Sequence, residues 1–597
     1  MPTYTAPIND MKFVLRELMP ENREHALPGA EDFSDDVVDA VLEEAAKLSE
    51  EVLAPINQSG DEEGCKYSDG DVITPAGFID AYRQFAEGGW TSLGADPEYG
   101  GQGIPHRIGV LAQEMFGSAN LAFSMYPGLS HGAYEALHKW GSDALKQRFL
   151  PKLVEGVWSG TMCLTEPHCG TDLGLIRTKA EPLDDGSYAI SGTKIFISAG
   201  EHDLTDNILH LVLARMPDAP AGIKGISLFL VPKFLPDNAD APGDRNGAVC
   251  GAIEAKMGIK ASSTCVMNFD NAVGYLIGEP HRGMRAMFTM MNAARLGVGG
   301  QGLSICEASY QGAVAYARER GQGRALKGPA FPDKSADPIL VHPDVRKMLL
   351  TMRVNAEGGR ALIAWTAAEL DVAERDPDPA RRQAADDFVS LLTPIVKAYL
   401  TDVGSETANV GVQVFGGHGY IRDHGMEQLI RDARIAQIYE GTNGVQAMDL
   451  VGRKMPAHTG RYLRRFFHPV ADYIEASYAK SGSEPGTNPM MDALAKVFGR
   501  LQQATGVIAQ RGLANPDEAG AAATDYLRLF ALTALAYLWC RAVDAAQKGG
   551  TLPPEFYRAK LNTAQFFFER ILPQSSSLFA AIMAGAGSIM AFDDEDF

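Results

Sequence analysis

The stretch RDARIAQIYEGTNG at residues 431–444 joins the end of an amphipathic helical pattern to a glycine-containing turn. It places one carboxylate, that of Glu440, directly before Gly441. A lone glutamate at a helix end is usually solvated, and this is the simplest interpretation of Glu440. The alternative is that the carboxylate loses solvent there, because burial raises the pKa of a carboxyl group and makes the carboxylate a stronger base.

Outward from this stretch, helical and strand-like patterns alternate along the chain. Apolar residues recur at helical spacing from about residue 35 to 155 and from about 284 to 455. Between about 160 and 280, short β-rich runs are separated by glycine, proline and aspartate clusters. After the polar linker Ser481 to Pro489 the pattern is helical again. We predict a mainly α fold with a central β domain, divided as 1–159 (helical), 160–281 (β), 282–457 (helical, with Glu440) and 458–597 (additional helical).

Composition excludes several classes of protein. The 597 residues are 46% hydrophobic and 22% charged, which is typical of a globular protein of several domains. The net charge of -21 repels a phosphate backbone, so nucleic acid is not an expected partner. Seven scattered cysteines without paired C-x-x-C spacing argue against both a disulfide framework and a zinc site. A reducing cytoplasmic location fits best.

Membrane and export segments are not predicted. The N-terminus has no basic region followed by an apolar run, so we expect no export signal. The uncharged stretch Leu529 to Cys540 is too short to span a bilayer. The stretch Ile571 to Phe592 is long enough but contains Pro573 and two glycines. These two stretches predict a pair of buried helices rather than an integral membrane segment.

Five further motifs accompany Glu440, and each alone is a weak signal. They are PEYGGQG (97–103), TEPHCGTD (165–172), SGTKIFIS (191–198), ARER (317–320) and QVFGGHGY (413–420). In this order and at this spacing they resemble the acyl-CoA dehydrogenase family of flavoproteins, over roughly residues 30 to 455. The extra C-terminal domain and the sequence EPHCGTDLG (166–174) are most similar to the subgroup that includes 3-(methylthio)propanoyl-CoA dehydrogenases.

The resemblance implies an FAD-dependent enzyme that converts an acyl-CoA thioester to a trans-2-enoyl-CoA. Such chemistry needs a base for the α proton, flavin N5 as acceptor of the β hydride, and polarisation of the thioester carbonyl. Glu440 resembles the family's base, and Tyr439, Gly441 and Arg295 resemble substrate contacts. Some relatives carry the base just before the arginine that matches Arg295. Here that position is Ala294, which cannot ionise, and this favours Glu440.

The resemblance also implies a set of flavin contacts. Phe196 stands where many relatives have tryptophan, and Ser198 replaces a common threonine, so a stacking face and a hydroxyl are both kept. His168 and Cys169 depart from the small residues usual there, and we predict no metal site. The flavin contacts carried over by position are Met162, Leu164, Thr165, Gly170, Thr171, Phe196, Ser198, Arg320, Gln322, Gln413, Gly416, Gly417 and Thr442.

Part of this set predicts an oligomer. Arg320 and Gln322 resemble the pair that reaches the flavin pyrophosphate across a subunit boundary, with Gln413, Gly416 and Gly417 on the partner's side. The protein is therefore expected to be at least a homodimer. Arg324 stands where relatives usually have glycine, so the local geometry is expected to differ.

Several functions remain open at this point. The expected activity is dehydrogenation of 3-(methylthio)propanoyl-CoA to 3-(methylthio)acryloyl-CoA, with an electron-transfer flavoprotein as acceptor. The alternatives are a general fatty acyl-CoA dehydrogenase, an acyl-CoA oxidase that uses dioxygen, and a DNA-associated flavoprotein of the same fold. The acidic chain argues against the last of these.

Overall fold

A computed structural model describes residues 3–18, 27–481 and 488–597, so most of the predicted linker, residues 482–487, lies outside the described residues. The helices are α1 (Ile8–Phe13), α2 (Asp35–Leu48), α3 (Asn57–Glu63), α4 (Phe78–Glu87), α5 (His106–Ala119), α6 (Leu121–Trp140), α7 (Asp143–Glu155), α8 (Gly283–Glu319), α9 (Pro343–Arg375), α10 (Pro379–Phe415), α11 (Met426–Arg434), α12 (Asn443–Asp449), α13 (Ala457–Ser481), α14 (Pro489–Ala514), α15 (Pro516–Lys548), α16 (Pro554–Phe566) and α17 (Ser575–Ala584). The strands are β1 (Lys66–Ser68), β2 (Asp71–Ile73), β3 (Trp158–Cys163), β4 (Lys179–Pro182), β5 (Tyr188–Ser198), β6 (Asn207–Arg215), β7 (Ile226–Pro232), β8 (Phe234–Pro236), β9 (Pro242–Arg245), β10 (Ala248–Ile253) and β11 (Thr264–Ile277). The predicted fold class, mainly α with a central β domain, is confirmed.

The chain forms two compact units. A sheet-containing unit consists of residues 47–104 and 116–297, and a helical unit consists of 1–46, 105–115 and 298–597. Three of the four unit boundaries fall inside α2, α5 and α8, and the fourth, between Ile104 and Pro105, lies just before α5. The division into four domains at 159, 281 and 457 stays a prediction.

The main sheet of the sheet-containing unit has strand order β10-β11-β5-β4-β6-β3, and β7 pairs with β6 and β11. Side chains along β6 alternate between two buried clusters. Leu209, Leu211 and Leu213 pack in a cluster with residues of α6 and α7, whereas Val212 and Ala214 pack in a cluster with β5, β10 and β11. Burial on both faces explains why β6 is an almost continuous apolar run.

In the helical unit, α9 packs along α10, and α15 packs against α14, α16 and α17. Among the described residues, one helix, α15, is long and apolar enough by length and composition to cross a membrane, and 83% of its most apolar window is buried in the protein. The stretch Leu529 to Cys540 lies in α15 and is buried, as predicted for it.

The prediction that Ile571 to Phe592 forms a second buried helix is wrong. This stretch contains a 3-10 turn, Leu572–Gln574, and the short helix α17, which ends at Ala584 and is followed by Gly585 with φ 75°. Beyond it, the side chains of Ile589, Met590 and Phe592 are more than half exposed. The glycine stops the helix before its apolar residues can be brought into the core.

Buried charges join the N-terminal segment, which contains α1, to helices α9 and α16 of the same unit. Arg360 of α9 is 1% exposed and binds Asp10, Glu114 at 2.9 Å and Glu307 at 2.6 Å. Lys560 of α16 binds Asp10 as well. Burial acts to raise the pKa of Asp10, but the charges of Lys560 and Arg360 outweigh it and hold that pKa below its usual value. Asp10 thus joins segments 350 and 550 residues away in the chain.

We predict that Asp10→Asn lowers the free energy of unfolding by about 3 kcal/mol, because two buried cations lose a shared counterion. Urea unfolding followed by circular dichroism measures the loss. The matched control is Asp35→Asn, which removes an exposed ion pair with Arg16 and is expected to cost less than about 1 kcal/mol. Equal losses in the two variants would contradict the role given to Asp10.

Candidate active site

The segment around Glu440 is a turn between two helices. Helix α11 ends at Arg434, a 3-10 turn runs through Ile435–Gln437, and α12 begins at Asn443. The helix therefore ends earlier than the sequence pattern predicts. Glu440 and Gly441 follow one another in the left-handed region, with φ 56° and φ 83°. For glutamate this backbone is uncommon and strained, so the surrounding structure must hold it.

Two side chains hold this turn by its carbonyl groups. Gln446 of α12 donates its amide to the carbonyl of Glu440 at 2.9 Å. Lys397 of α10, which is fully buried, donates to the carbonyl of Gly441 and to Asn443 Oδ1, both at 2.8 Å. A Cβ at residue 441 would lie 2.7 Å from the Gln446 amide nitrogen and would displace that amide, and the φ of residue 441 itself favours glycine.

Glu440 is partly buried, and the residues on either side of it make hydrogen bonds within the helical unit. The Tyr439 hydroxyl donates to Gln301, and burial together with the charge of Glu440 raises the pKa of Tyr439 well above its usual value. Thr442 caps α12 by accepting from the backbone N–H of Val445 at 3.3 Å. Glu440, Tyr439, Gly441 and Thr442 all belong to the helical unit, and their roles toward substrate and flavin stay predictions.

Arg295 belongs to the sheet-containing unit. It lies on α8, is 7% exposed and donates to Asn292 Oδ1 at 3.4 Å. Ala294 precedes it on the same helix, as the sequence shows. The substrate contact assigned to Arg295 stays a prediction.

The predicted flavin residues of the sheet-containing unit come together at the ends of β3 and β5. Thr161 Oγ1 donates to the carbonyl of Ser198 at 2.6 Å, and the N–H of Ile195 donates to the carbonyl of Thr165 at 2.9 Å. These bonds align the two stretches. The other predicted residues at this edge are Met162 and Leu164, which are partly buried, and Gly170 and Thr171, which are exposed.

Phe196 sits in a β-bulge with an unusual backbone. Its φ is 58°, and the pairing of β5 with β11 shifts register at this point. The bulge turns its side chain outward, so that Phe196 is 60% exposed although it lies within a strand. An exposed aromatic ring on a strand that pairs with the Thr165 stretch and carries Ser198 two residues later suits a flat, partly polar ring system such as the isoalloxazine of FAD.

The loop that carries Thr165, Gly170 and Thr171 is fixed by a buried ion pair that the sequence reasoning missed. Lys194, fully buried, donates to Glu166 Oε1 at 2.8 Å and to the carbonyl of Leu164 at 3.0 Å. Burial acts to raise the pKa of Glu166, but the charge of Lys194 and several hydrogen bonds outweigh it and hold that pKa below its usual value. Both residues lie inside quoted motifs, and only their pairing was not visible in the sequence.

A metal site at this loop is the alternative to the flavin interpretation. Among the described residues, one group of three could hold a metal ion: the ligand atoms of Glu166, His168 and Cys169 lie within 4.8 Å of one another. Glu166 is already bound to Lys194 and Thr178, so a metal ion would have to compete with these partners for the carboxylate. The expectation of no metal stays a prediction.

The remaining predicted flavin residues lie on the helical unit and face outward. Arg320, Gln322, Gln413, Gly416 and Gly417 are all exposed on this chain. Exposure is what a contact with another subunit requires, although the subunit assignment stays a prediction.

Arg324, where relatives usually have glycine, organises the loop between α8 and α9. Its guanidinium donates to the fully buried Asp337 at 3.3 Å and to the carbonyl of Phe331 at 3.1 Å. Burial acts to raise the pKa of Asp337, but backbone N–H groups, including those of Ala330 and Ala325, outweigh it and hold that pKa well below its usual value. The departure from glycine therefore coincides with a loop built around Asp337.

Comparison with family models covers most of the chain. Residues 35–157, 161–272 and 281–455 match the N-terminal, middle and C-terminal domains of acyl-CoA dehydrogenase. Residues 466–593 match a further model described as acetyl-CoA dehydrogenase C-terminal like. The extra C-terminal helices thus have counterparts in known proteins.

Full-length relatives agree with the family models. The chain is 43% identical to 3-methylmercaptopropionyl-CoA dehydrogenase of Ruegeria pomeroyi, over 98% of this chain and 99% of that one. It is 32% identical to butyryl-CoA dehydrogenase of Syntrophomonas wolfei, over 100% of this chain and 99% of the relative. It is 33% identical to the broad-specificity linear acyl-CoA dehydrogenase FadE5 of Mycobacterium tuberculosis, over the whole of both chains.

Solved structures show the same fold. ACDH-11 of Caenorhabditis elegans in complex with C11-CoA superposes with a TM-score of 0.77 and 21% identity, covering 96% of this chain and 92% of that one. Acyl-CoA dehydrogenase of Bacillus anthracis complexed with FAD gives 0.73 and 20%, covering 94% and 90%. Family models, full-length identity and fold together show that this chain belongs to the acyl-CoA dehydrogenase family and is an FAD-dependent oxidoreductase that dehydrogenates acyl-CoA thioesters.

Proposed function

We propose that this enzyme converts 3-(methylthio)propanoyl-CoA to 3-(methylthio)acryloyl-CoA, with Glu440 as the base that removes the α proton. The observation that carries the assignment of the base is the left-handed turn in which Glu440 and Gly441 are held. The choice of substrate is supported by the 43% identity with the Ruegeria pomeroyi enzyme, which extends over the additional C-terminal helices as well.

The α proton of a saturated thioester is only weakly acidic, so its removal needs a base in a site with little water. Glu440 is partly buried, and an acyl chain bound beside it would exclude more water from the carboxylate. Gly441 adopts the left-handed backbone directly after Glu440 without the strain that a side chain would add. FAD, when bound, supplies the acceptor for the hydride from the β carbon.

In this proposal the flavin ring is held by the edge formed by β3 and β5. Phe196 provides the stacking surface, and the backbone and hydroxyls of Thr165, Gly170, Thr171 and Ser198 provide polar contacts, with Met162 and Leu164 beneath them. Arg320, Gln322, Gln413, Gly416 and Gly417 serve the flavin phosphates and adenosine across a subunit boundary, which requires at least a homodimer. Their exposure on this chain supports the assignment. Electrons then pass to an electron-transfer flavoprotein.

A second candidate is a general dehydrogenase of linear acyl-CoA thioesters. It is favoured by the end-to-end identity, 32% and 33%, with butyryl-CoA dehydrogenase and with FadE5. Both candidates carry out the same reaction. They differ only in whether the acyl pocket prefers a sulfur atom to a methylene group in the acyl chain.

Pentanoyl-CoA separates the two candidates, because it replaces the sulfur atom of 3-(methylthio)propanoyl-CoA by a methylene group. We predict that kcat/KM with an artificial electron acceptor is about 2- to 10-fold higher for the sulfur compound, the range given by sulfur–aromatic contacts. Butyryl-, octanoyl- and isobutyryl-CoA complete the panel. Equal or higher values for pentanoyl-CoA would favour the general dehydrogenase.

Glu440→Gln tests the base directly. We predict that kcat falls by about 10³-fold, because the amide cannot accept the α proton. The protein should still bind FAD, as measured by its visible absorbance. The matched control is Glu427→Gln on α11, which removes an ion pair with Arg431 and should keep near-normal turnover. Undiminished turnover in Glu440→Gln would show that another group is the base.

Lys194→Met tests the flavin loop. It leaves the buried carboxylate of Glu166 without its cation, so we predict that FAD affinity falls by about tenfold or more, measured by fluorescence titration of the apoprotein. Adding Glu166→Leu should restore part of the lost stability, because it removes the unpaired charge. Lys179→Met on β4 is the control, since Lys179 is exposed. Unchanged FAD affinity in Lys194→Met would separate this ion pair from flavin binding.

A further inference from the structure

Lys397 lies on α10, fully buried, with its ammonium group on the turn that carries Glu440. We propose that Lys397 is a positioning residue, which fixes the peptide between Gly441 and Thr442, directly after the base, so that the carboxylate of Glu440 keeps one orientation toward the α carbon of the substrate. This inference rests on the proposed role of Glu440 as the base. Lys397 lies in none of the sequence motifs that carry the family resemblance.

The burial of this lysine requires strong local partners. A buried ammonium is costly unless oxygen atoms replace its lost water. Two of those oxygens come from the turn itself, the carbonyl of Gly441 and Oδ1 of Asn443, each 2.8 Å from Nζ. The cation and the turn therefore stabilise each other, and a movement of the turn would strip the ammonium of these hydrogen bonds.

The turn at Glu440 and Gly441 also requires bonds that hold its backbone. A left-handed backbone costs a residue other than glycine roughly 1–2 kcal/mol, and Glu440 adopts it with φ 56° directly before another left-handed residue. Gln446 holds the carbonyl of Glu440, and Lys397 holds the next carbonyl, that of Gly441. Both peptide planes are thereby fixed, and without the charge-assisted bond the second plane keeps only the longer bond, 3.4 Å, from the Gln446 amide to the carbonyl of Gly441.

Further bonds from α10 fix the other side of the turn. Asn443 donates its amide to Asp402 Oδ1 at 2.7 Å and to the carbonyl of Ala398 at 3.2 Å. Gln437, before Glu440, donates to the same oxygen of Asp402 at 2.7 Å. One face of α10 therefore binds the chain both before and after Glu440, and Lys397 supplies the bond to the residue that immediately follows the base.

A test must separate proton removal from hydride transfer and from binding. (Methylthio)acetyl-CoA serves this purpose, because it has α hydrogens but no β hydrogen. In D₂O the base removes an α proton, the thioester enolate forms, and a deuteron returns to the same carbon, so exchange proceeds with no oxidation. Mass spectrometry of the thioester measures the rate. Turnover of 3-(methylthio)propanoyl-CoA gives kcat and KM in parallel.

We predict that Lys397→Met lowers both the exchange rate and kcat by about 10- to 100-fold, the effect of displacing a catalytic group by about 1 Å. KM should change by less than about threefold, since Lys397 acts through Glu440 and not on the substrate. FAD content and Tm confirm that the variant is folded. The matched control is Thr393→Val, which removes a buried hydroxyl one turn earlier on α10, bound to the carbonyl of Val389, and should exchange normally.

Each outcome decides the inference. Exchange in Lys397→Met equal to that in Thr393→Val overturns it, while loss of exchange in Glu440→Gln shows that the base assignment still stands. Undiminished exchange in Glu440→Gln instead overturns the proposed base and this inference with it. Should Lys397→Met fail to fold or to bind FAD, the exchange rate of Gln446→Leu is measured instead. This variant removes the hydrogen bond to the carbonyl of Glu440 without removing a charge. Normal exchange in Gln446→Leu then counts against positioning by the turn.

Discussion

The constraint on which the rest of this structure depends is the left-handed backbone at Glu440 and Gly441. A carboxylate at a regular helix end would point along the helix surface into solvent, where it is a weak base. The two left-handed residues instead turn the chain abruptly between Gln437 and the start of α12. This geometry is unfavourable for glutamate by itself, so other parts of the protein must stabilise it.

A related solution is present at two other irregular segments of the protein. In each of the three, a cation binds backbone carbonyls or a buried carboxylate, and a loop takes its shape around it. Lys397 does this at the Glu440 turn, and Lys194 with Glu166 does it at the loop after β3. Arg324 with Asp337 does it after α8. Charge-assisted bonds are strong and directional in a dry interior, so a loop fixed in this way has one geometry.

The sequence predicted the fold class because that prediction depends on local periodicity. Apolar spacing distinguishes the helices from the strands, and the order of the motifs identified the family. The φ of Phe196 was not predictable, since it depends on the register between β5 and β11. The partners of Lys397 lie 44 and 46 residues further along the chain, and no local pattern indicates them. Ile571 to Phe592 misled the prediction because its composition is that of a buried helix, whereas Gly585 ends α17 within it.

The cluster around Asp10 gives the additional C-terminal helices a physical link to the part of the chain that the family shares. Lys560 of α16 and Arg360 of α9 bind the same carboxylate, and Lys560 also binds Glu357 of α9 at 2.5 Å. Phe13 and Phe556 pack nearby with ring centroids 5.5 Å apart, and Lys560 lies over both rings. A chain without the additional helices would leave Asp10 with one cation fewer and Phe13 without an aromatic partner. The N-terminal segment and the extra helices therefore stabilise each other through one buried carboxylate and one aromatic pair.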